Sequence, residues 1–247
     1  MVPRKPLPRD DSSPLLLDLP FAGRWLVQNS PARRVPSHGT DLLGARYAID
    51  FVGVDDHRRT ATVRDWRTLV ASEPVERFVA FGRPVLAPAT GTVVHVHDGE
   101  VDHAGRRSQP ALVPYALGQR ARFRAGAGAM AGNHVVIATA GETRFVVLAH
   151  LRAGSLRVDA GQQVVVGQPV AECGNSGNST QPHVHLQVMD RPDAYGADGV
   201  PMVFHRFREW PRGARGPRLR EASLPDEGSV VEPVPDGTGV GGTRVGG

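Results

Sequence analysis

The stretch His-Val-His-Leu-Gln-Val, residues 183–188, decides the fold, because polar and apolar side chains alternate in it without exception. Successive side chains on a β-strand point to opposite faces, so the three apolar residues would pack into a core and the three polar ones would share the other face. His183 and His185 would lie about 7 Å apart on that face, which suits one metal ligand and one nearby catalytic base. A half-buried strand with surface histidines has the same pattern, and alternation alone leaves both interpretations open.

A second strand, Tyr-Ala-Ile-Asp-Phe at residues 47–51, carries an acidic side chain on the face opposite its apolar residues. An aspartate inside such a run is unfavourable unless it is exposed or has a partner such as a cation, which makes Asp50 a candidate metal ligand. Just upstream, the Pro- and Gly-rich segment at residues 35–40 could place His38 beside Asp50. A lone loop histidine is usually exposed to solvent, so the prediction for His38 depends on the other ligands.

Other histidines end or begin β-type runs. His150 ends the run Phe-Val-Val-Leu-Ala-His at residues 145–150, where a strand-end histidine bonded to backbone is the common case. A second His-x-His, His95 and His97, runs into an Asp-Gly hairpin turn, and we interpret it as an exposed strand end without a metal role. His134, in Gly-Asn-His-Val-Val-Ile at residues 132–137, is interpreted in the same way.

Composition excludes several classes of protein. Cys173 is the only cysteine, so an intramolecular disulfide framework and a cysteine-based zinc cluster are excluded, and any metal must use histidines and carboxylates. The net charge is +4 with no stripe of basic residues and aromatics, which argues against nucleic-acid binding. No stretch approaches the roughly 18 apolar residues of a membrane span. No signal-peptide core is visible near the N-terminus, which on a literal interpretation predicts a cytoplasmic protein.

The chain is predicted to be mainly β, with short apolar runs punctuated by Gly and Pro. Residues 1–15 and 211–247 are rich in Gly, Pro and charge, which predicts a disordered N-terminal segment and a low-order C-terminal tail. One β domain would occupy residues 16–210, with loop insertions at about 55–76 and 100–131. The predicted strands cover residues 25–28, 47–52, 84–87, 91–97, 134–139, 144–151, 163–166, 169–173 and 183–189.

Four elements in a fixed order carry a family resemblance. They are Gly-Asn-His-Val-Val-Ile at 132–137, Leu-Ala-His-Leu at 148–151, the spaced Val and Gly residues from 158 to 168, and Gly-Asn-Ser-Gly-Asn-Ser-Thr-Gln-Pro-His-Val-His at 174–185. Together they resemble the lysostaphin-type zinc metalloendopeptidases, which cleave peptide crosslinks in bacterial peptidoglycan. The resemblance runs from about residue 20 to residue 204, with the two insertions outside it.

The resemblance implies a fold of two antiparallel sheets that form a substrate groove. It implies Zn²⁺ held by His38, Asp50 and His185, and it makes His150 and His183 the catalytic imidazoles, one as general base and one as oxyanion stabiliser. Two histidines and one carboxylate leave the fourth tetrahedral position of zinc open to water, as a catalytic site requires. The implied substrate is peptidoglycan or a glycine-containing peptide, and the implied location is the cell envelope or the exterior.

Two departures from the family pattern keep alternatives open. Twelve residues separate His38 from Asp50, where many members have four, so Asp41 is a rival ligand. Leu148 occupies a position where members often have a tyrosine, and a lost hydroxyl would weaken transition-state stabilisation. The rival function is a binding module of the same fold that acts in the envelope as an anchor or regulator without turnover.

Overall fold

A computed structural model describes residues 13–108, 110, 126–141 and 143–234. Its strands are β1 Leu15–Leu17, β2 Trp25–Gln28, β3 Ile49–Gly53, β4 Pro84–Leu86, β5 Gly91–His97, β6 Asn133–Thr139, β7 Phe145–Leu151, β8 Gln163–Val164, β9 Pro169–Glu172, β10 Val184–Met189, β11 Met202–Trp210, β12 Arg218–Ser223 and β13 Val230–Pro233. Short helices occur at α1 Trp66–Val70 and α2 Ala127–Ala131, and 3-10 turns at Leu42–Tyr47 and Val75–Arg77. No helix in these ranges is long and apolar enough to span a membrane.

The strands form one large sheet and one small sheet. The large sheet has the order β1-β11-β13-β2-β3-β10-β7-β6-β5-β8, with β12 also paired to β11, and the small sheet pairs β4 with β9. The predicted mainly β fold class is confirmed. The large sheet is mixed, because β1 runs parallel to β11, whereas the resemblance implied antiparallel sheets only.

The two faces of the large sheet have different surroundings. The small sheet packs on one face, where Val85 and Ala171 join a core that includes Ile49, Leu148 and Leu186. The other face carries a smaller apolar cluster around Val136, Val147, Ala149 and Met189, and it stays partly open. Alternation along β10 therefore separates core residues from a half-open face.

The first insertion is ordered around a buried acid. Glu73 has no solvent-exposed side-chain surface, and Arg107 from the second insertion binds it with Nε and Nη2 at 2.8 and 2.6 Å. Thr68 donates its hydroxyl to the same carboxylate at 3.0 Å, which adds α1 to the contact. A backbone bridge between Glu73 and Gly105 runs alongside. The two insertions are thus joined to each other by one charged contact, which we call the Glu73–Arg107 clamp.

Replacing Arg107 with alanine is expected to lower the free energy of unfolding by about 3–5 kcal/mol, because the buried carboxylate loses its two short ionic hydrogen bonds and, within the described residues, keeps only Arg77 at 3.9 Å as a cationic partner. Hydrogen bonding from Arg107 holds the pKa of Glu73 below its usual range. A depressed folded-state pKa stabilises the fold above the ordinary glutamate value of about 4.3, and that stabilisation disappears as the pH falls through the folded-state pKa. The difference from wild type should therefore shrink in acid, as measured by urea denaturation at pH 7 and below pH 4.

The exposed ion pair of Arg191 with Asp190 gives the matched control, since its guanidinium is half exposed. Arg191→Ala should change stability by no more than about 1 kcal/mol. Equal losses for the two arginine variants would contradict a special role for the clamp.

The predicted low-order tail from residue 211 is wrong for the segment that forms β12 and β13. Both strands pair with β11, and Val231 at the start of β13 is fully buried. Glu209 of β11 is also fully buried, where it pairs with Arg220 at 2.9 Å and accepts a hydrogen bond from Ser229 at 2.9 Å. A charged segment is ordered here because its charges are paired across strands. The predicted disorder at residues 1–12 and 235–247, and the part of the predicted loop at residues 111–125, lie outside the described residues.

Candidate metal centre

Strand pairing places Asp50 beside His185. The two residues are opposite each other in the antiparallel pair of β3 and β10, so both side chains leave the same face of the sheet. Asp50 is 6% exposed, and its Oδ1 lies 2.9 Å from Nδ1 of His185. The acidic residue predicted to need a partner has an imidazole in contact with it.

The segment between β2 and β3 brings His38 to the same carboxylate. It turns through the 3-10 segment Leu42–Tyr47, and the backbone of Ser37 donates to the carbonyl of Arg46 at 3.0 Å. Nε2 of His38 consequently lies 3.1 Å from Oδ2 of Asp50. The twelve-residue separation is absorbed by this turn, so it is compatible with a shared site.

Within the described ranges, one donor atom from each of His38, Asp50 and His185 lies within 4.8 Å of the others. Asp41, the rival ligand, instead pairs with Arg46 at 2.7 Å, and its side chain is 55% exposed. The structure brings Asp50 to the cluster and leaves Asp41 outside it.

The outer nitrogens of both histidines have partners that define which nitrogen faces the carboxylate. Gln187 donates its amide to the carbonyl of Leu43 at 2.7 Å, so its Oε1, 3.0 Å from Nε2 of His185, accepts a proton from that nitrogen. Nδ1 of His38 lies 3.1 Å from the hydroxyl of Ser37. Metal-binding histidines commonly donate their outer N–H in this way. The inner nitrogen lone pairs then face an acidic oxygen, an arrangement that a cation between them satisfies.

The electrostatics of the cluster agree with this arrangement. Burial alone would raise the pKa of Asp50, but His183, His38 and the hydrogen bond with His185 hold that pKa well below its usual range. Burial lowers the pKa of His185, and the contact with Asp50 outweighs burial and raises it. The carboxylate is therefore ionised at neutral pH, as a metal ligand must be.

His150 and His183 lie next to the metal-ligand cluster with their ring centroids 4.7 Å apart. Nε2 of His183 is 3.6 Å from Oδ1 of Asp50, while its Nδ1 donates to the carbonyl of Gln181 at 2.8 Å. Nδ1 of His150 donates to the carbonyl of Ser176 at 2.9 Å. Burial lowers the pKa of both imidazoles, more so for His150. Two neutral imidazoles thus present unprotonated Nε2 atoms, and the five predicted site residues lie together.

His150 is aimed by an irregularity in its strand. The register between β6 and β7 shifts between Asn133 and Val135, and His150 adopts a left-handed backbone with φ of +61°. In a regular strand it would point opposite to Ala149, into the core; the bulge lets both residues line the open face. Backbone strain of this kind is held in place by its surroundings and is frequent at functional sites.

The Gly-Asn pair at residues 132–133 holds the loop that orients His150. A side chain at Gly132, whose φ is +63°, would overlap the backbone of Ser176 at 2.5 Å. The backbone N–H of Asn133 donates to the hydroxyl oxygen of Ser176 at 3.0 Å. The motif therefore has a structural role in fixing the carbonyl that receives the His150 proton.

Leu148 occupies the position where members of the lysostaphin-type family often have a tyrosine. It is fully buried in the core, on the face of β7 opposite to Ala149, and pairs with Leu186 of β10. A side chain at this position points away from the metal cluster. The leucine therefore removes no group from the site in this fold.

Asn29 contributes to the site, although the sequence analysis did not identify it. Its amide donates to Oδ2 of Asp50 at 2.7 Å, and its backbone has a left-handed φ of 53°. In the sequence, Asn29 is marked only by the Asn-Ser-Pro turn that follows β2. Such turns are common in proteins and do not by themselves indicate a functional residue. Gln187, predicted to share a face with the histidines, orients His185 as described.

Replacing Asn29 with glycine is expected to weaken zinc affinity about 10–100-fold, since a group that orients a metal ligand typically contributes that much. Glycine accepts the left-handed backbone, so the variant removes the amide without adding strain. Competition with a zinc-binding dye measures the change. Asn29→Asp replaces the donating amide by a carboxylate, which only accepts, and it should bind zinc at least as weakly as Asn29→Gly. Unchanged affinity in both variants would show that Asn29 has no positioning role.

A groove of about 780 Å³ runs from the metal cluster across the open face of the sheet. Its floor includes Val136, Val147 and Ala149, and the segment that holds Tyr195 forms one wall. Imidazoles occur at both ends, with His185 at one and His134 at the other. The groove can hold an extended chain over the metal cluster.

Part of the chain matches a known protein family. Residues 116–197 match the family model described as Peptidase family M23. The match covers about a third of the chain. The matched segment contains His150, His183 and His185, whereas His38 and Asp50 lie outside it and are associated with it by the fold. The predicted resemblance to lysostaphin-type peptidases is confirmed, and the cluster of His38, Asp50 and His185 is a candidate metal site.

Several solved structures are similar to this chain. The catalytic domain of lysostaphin from Staphylococcus simulans is 15% identical, with 72% of this chain and 88% of that chain covered at a TM-score of 0.37. A mutant catalytic domain of the prophage-encoded M23 protein EnpA from Enterococcus faecalis is 19% identical, with 62% and 73% covered at 0.36. A zinc-containing peptidase from Vibrio cholerae is 22% identical, with 61% and 47% covered at 0.31. No curated protein sequence matched.

Proposed function

We propose that this protein is a zinc-dependent endopeptidase that hydrolyses peptide crosslinks of bacterial peptidoglycan. The observation that carries the proposal is the convergence of His38, Asp50 and His185 beside two further neutral imidazoles. The match of residues 116–197 to the peptidase family M23 model supports a peptidase. The proposal implies that the protein acts at the cell envelope.

The donor set fits zinc. Two imidazole nitrogens and one carboxylate oxygen form the ligand set of a catalytic zinc with an open position. His38 and His185 would bind through the nitrogens that face Asp50, and Ser37 and Gln187 would hold the outer nitrogens. When bound, zinc would supply a nucleophilic water at neutral pH and polarise the scissile carbonyl.

We assign the general base to His183. A proton on its Nδ1 is donated to the carbonyl of Gln181, so Nε2 has a free lone pair next to Asp50. Asp50 raises the pKa of His183 against the lowering effect of burial, which makes this ring the more basic of the two. Nε2 can therefore accept a proton from the attacking water and pass it on to the leaving amine.

His150 is assigned to the opposite side of the reacting carbonyl. Its Nδ1 proton is already donated to Ser176, so it can stabilise an oxyanion only when Nε2 also carries a proton. Its ring centroid lies 4.7 Å from that of His183 and 5.8 Å from that of His185. The proton that Nε2 of His183 takes from the water would be shared with Nε2 of His150 while the oxyanion exists, and it would return to His183 before it reaches the leaving amine.

The groove favours an extended peptide with small side chains. Its floor between Val136 and Ala149 is apolar. A crosslink that contains glycine would bring its backbone close to the metal cluster without a side chain to accommodate.

The test is metal-dependent cleavage of purified peptidoglycan and of a glycine-containing crosslink peptide. We expect new amino termini to appear with the zinc-loaded protein, to disappear after chelation, and to return when zinc is added. Zinc-loaded, folded protein that cuts neither substrate would contradict the enzyme and favour the binding module with the same ligand set. A peptide of identical length, with each glycine replaced by a larger residue, shows whether small residues matter.

A further inference from the structure

Three histidines meet at the end of the groove away from the metal-ligand cluster. His97 on β5 is opposite His134 on β6, and His95 on β5 is opposite Val136. All three rings leave the same sheet face, and His95 and His134 line the groove itself. Two strand spacings separate β6 from β10, so these rings lie about 10 Å or more from His185.

A β-bulge is responsible for this placement. The register between β5 and β6 shifts between Val93 and His95. Val93 is fully buried in the core, and strict alternation would send His95 and His97 to the core side with it. The extra residue, Val94, reverses that orientation, so both histidines join His134 on the open face. Bulges often re-aim side chains at functional positions.

Two of the three ring separations, those from His134, suit a shared metal ion. The centroid of His134 lies 5.2 Å from that of His95 and 5.4 Å from that of His97. Imidazoles bound tetrahedrally at the usual zinc–nitrogen distance would have centroids about 5 Å apart, and the ligand pair His38 and His185 shows 4.9 Å. The rings are inclined by 35° and 27°, so His95 and His97 must rotate to point inward. Both are partly exposed, which leaves them free to do so.

His134 is already prepared as a ligand. It is 8% exposed, and its Nδ1 donates to the carbonyl of Gly132 at 2.7 Å, which leaves Nε2 with a lone pair. Burial lowers the pKa of His134 to about 4, so the ring is neutral at physiological pH. Nε2 of His97 lies 3.4 Å from the carboxylate of Glu100. Carboxylates in such contacts orient the metal-binding histidines of many proteins.

We propose that His95, His97 and His134 form a second site for a borderline transition-metal ion such as Zn²⁺. The donor set is three imidazoles on two neighbouring strands, with the fourth position open toward the groove. The inference does not depend on the proposed peptidase activity, because none of the three residues belongs to the metal-ligand cluster around Asp50.

The experiment titrates Zn²⁺ into the metal-stripped full chain by equilibrium dialysis with elemental mass spectrometry. The variant His38→Ala/His185→Ala removes the first site, and we expect it to bind one equivalent. Adding His134→Ala should weaken that remaining binding by at least about 100-fold, since even indirect partners of a metal contribute 10–100-fold. Adding His57→Ala, which replaces an exposed loop histidine, is the matched control and should change nothing.

A second measurement avoids variants that could unfold. Wild type should bind two equivalents, and His95→Ala/His97→Ala, which alters partly exposed side chains, should bind one. One equivalent in both proteins would overturn the second site and leave the proposed function untouched. Two equivalents in wild type, without cleavage of any wall peptide, would support the second site while the peptidase proposal failed.

Discussion

The His185→Ala variant is expected to lose one equivalent of bound zinc and all measurable cleavage of wall peptides. The substitution removes the nitrogen 2.9 Å from Asp50 and leaves a buried carboxylate with one imidazole ligand fewer. Loss of an orienting group alone weakens metal binding 10–100-fold, so loss of a ligand should exceed about 100-fold. Without the ion, neither the nucleophile nor the polarised carbonyl is available.

Elemental mass spectrometry on native-purified protein, followed by the peptide assay at saturating zinc, measures both effects. His57→Ala is the control, because that histidine lies exposed in the first insertion. A His185→Ala protein that keeps the zinc stoichiometry of wild type would exclude His185 as a ligand.

The His183→Ala variant is expected to lower kcat by about 10²–10⁴, the usual contribution of a positioned acid–base group, while zinc affinity stays within a few-fold of wild type. The reason is that Nε2 of His183 lies 3.6 Å from Asp50, beside the ligands but outside the set whose donor atoms converge. Steady-state kinetics paired with zinc titration separates catalysis from metal binding.

Ser179→Ala provides the graded comparison. The Ser179 hydroxyl lies 3.0 Å from Nδ1 of His183, so its loss should reduce kcat less than loss of the ring does. Full turnover by His183→Ala would transfer the base role to another group, and simultaneous loss of zinc would make His183 a ligand instead.

Strict alternation predicted the central part of the site. In residues 183–188 the apolar residues are buried in the core and His185 faces the groove with Gln187, as the period of two requires. Asp50 could also be anticipated, because an acid in a strongly β-forming run needs a partner. Asn29, which also contacts Asp50, could not be predicted in this way. It lies in a turn, and the side chains of a turn follow no periodic pattern.

Bulges limited the remaining predictions for the groove. The sequence placed His95, His97 and His134 at an exposed strand end, because one extra residue in a strand cannot be recognised from alternation. The same limit applied to His150, whose left-handed backbone turns it from the core side to the open side. In both strands the register with a neighbour, which depends on tertiary pairing, decides the direction of the side chain.

Charge composition misled the prediction for the C-terminal segment. Residues beyond 210 were expected to have low order because they are rich in Gly, Pro and charge. The pair of buried Glu209 and partly exposed Arg220 offsets that composition, since each charge has a partner on a neighbouring strand. Composition records the number of charges but carries no information on their pairing.

The Glu73–Arg107 clamp has a consequence for how the molecule opens. The charge pair joins the two insertions, so an insertion that separates from the other leaves an ion without this partner. Local opening of one insertion should therefore require opening of the other. Such coupled segments exchange their amide hydrogens as one cooperative unit. The amides of α1 and of the bridge at Gly105 should therefore exchange with one common opening free energy. That free energy should be lower than the opening free energy of β6 and β7, which form the groove floor.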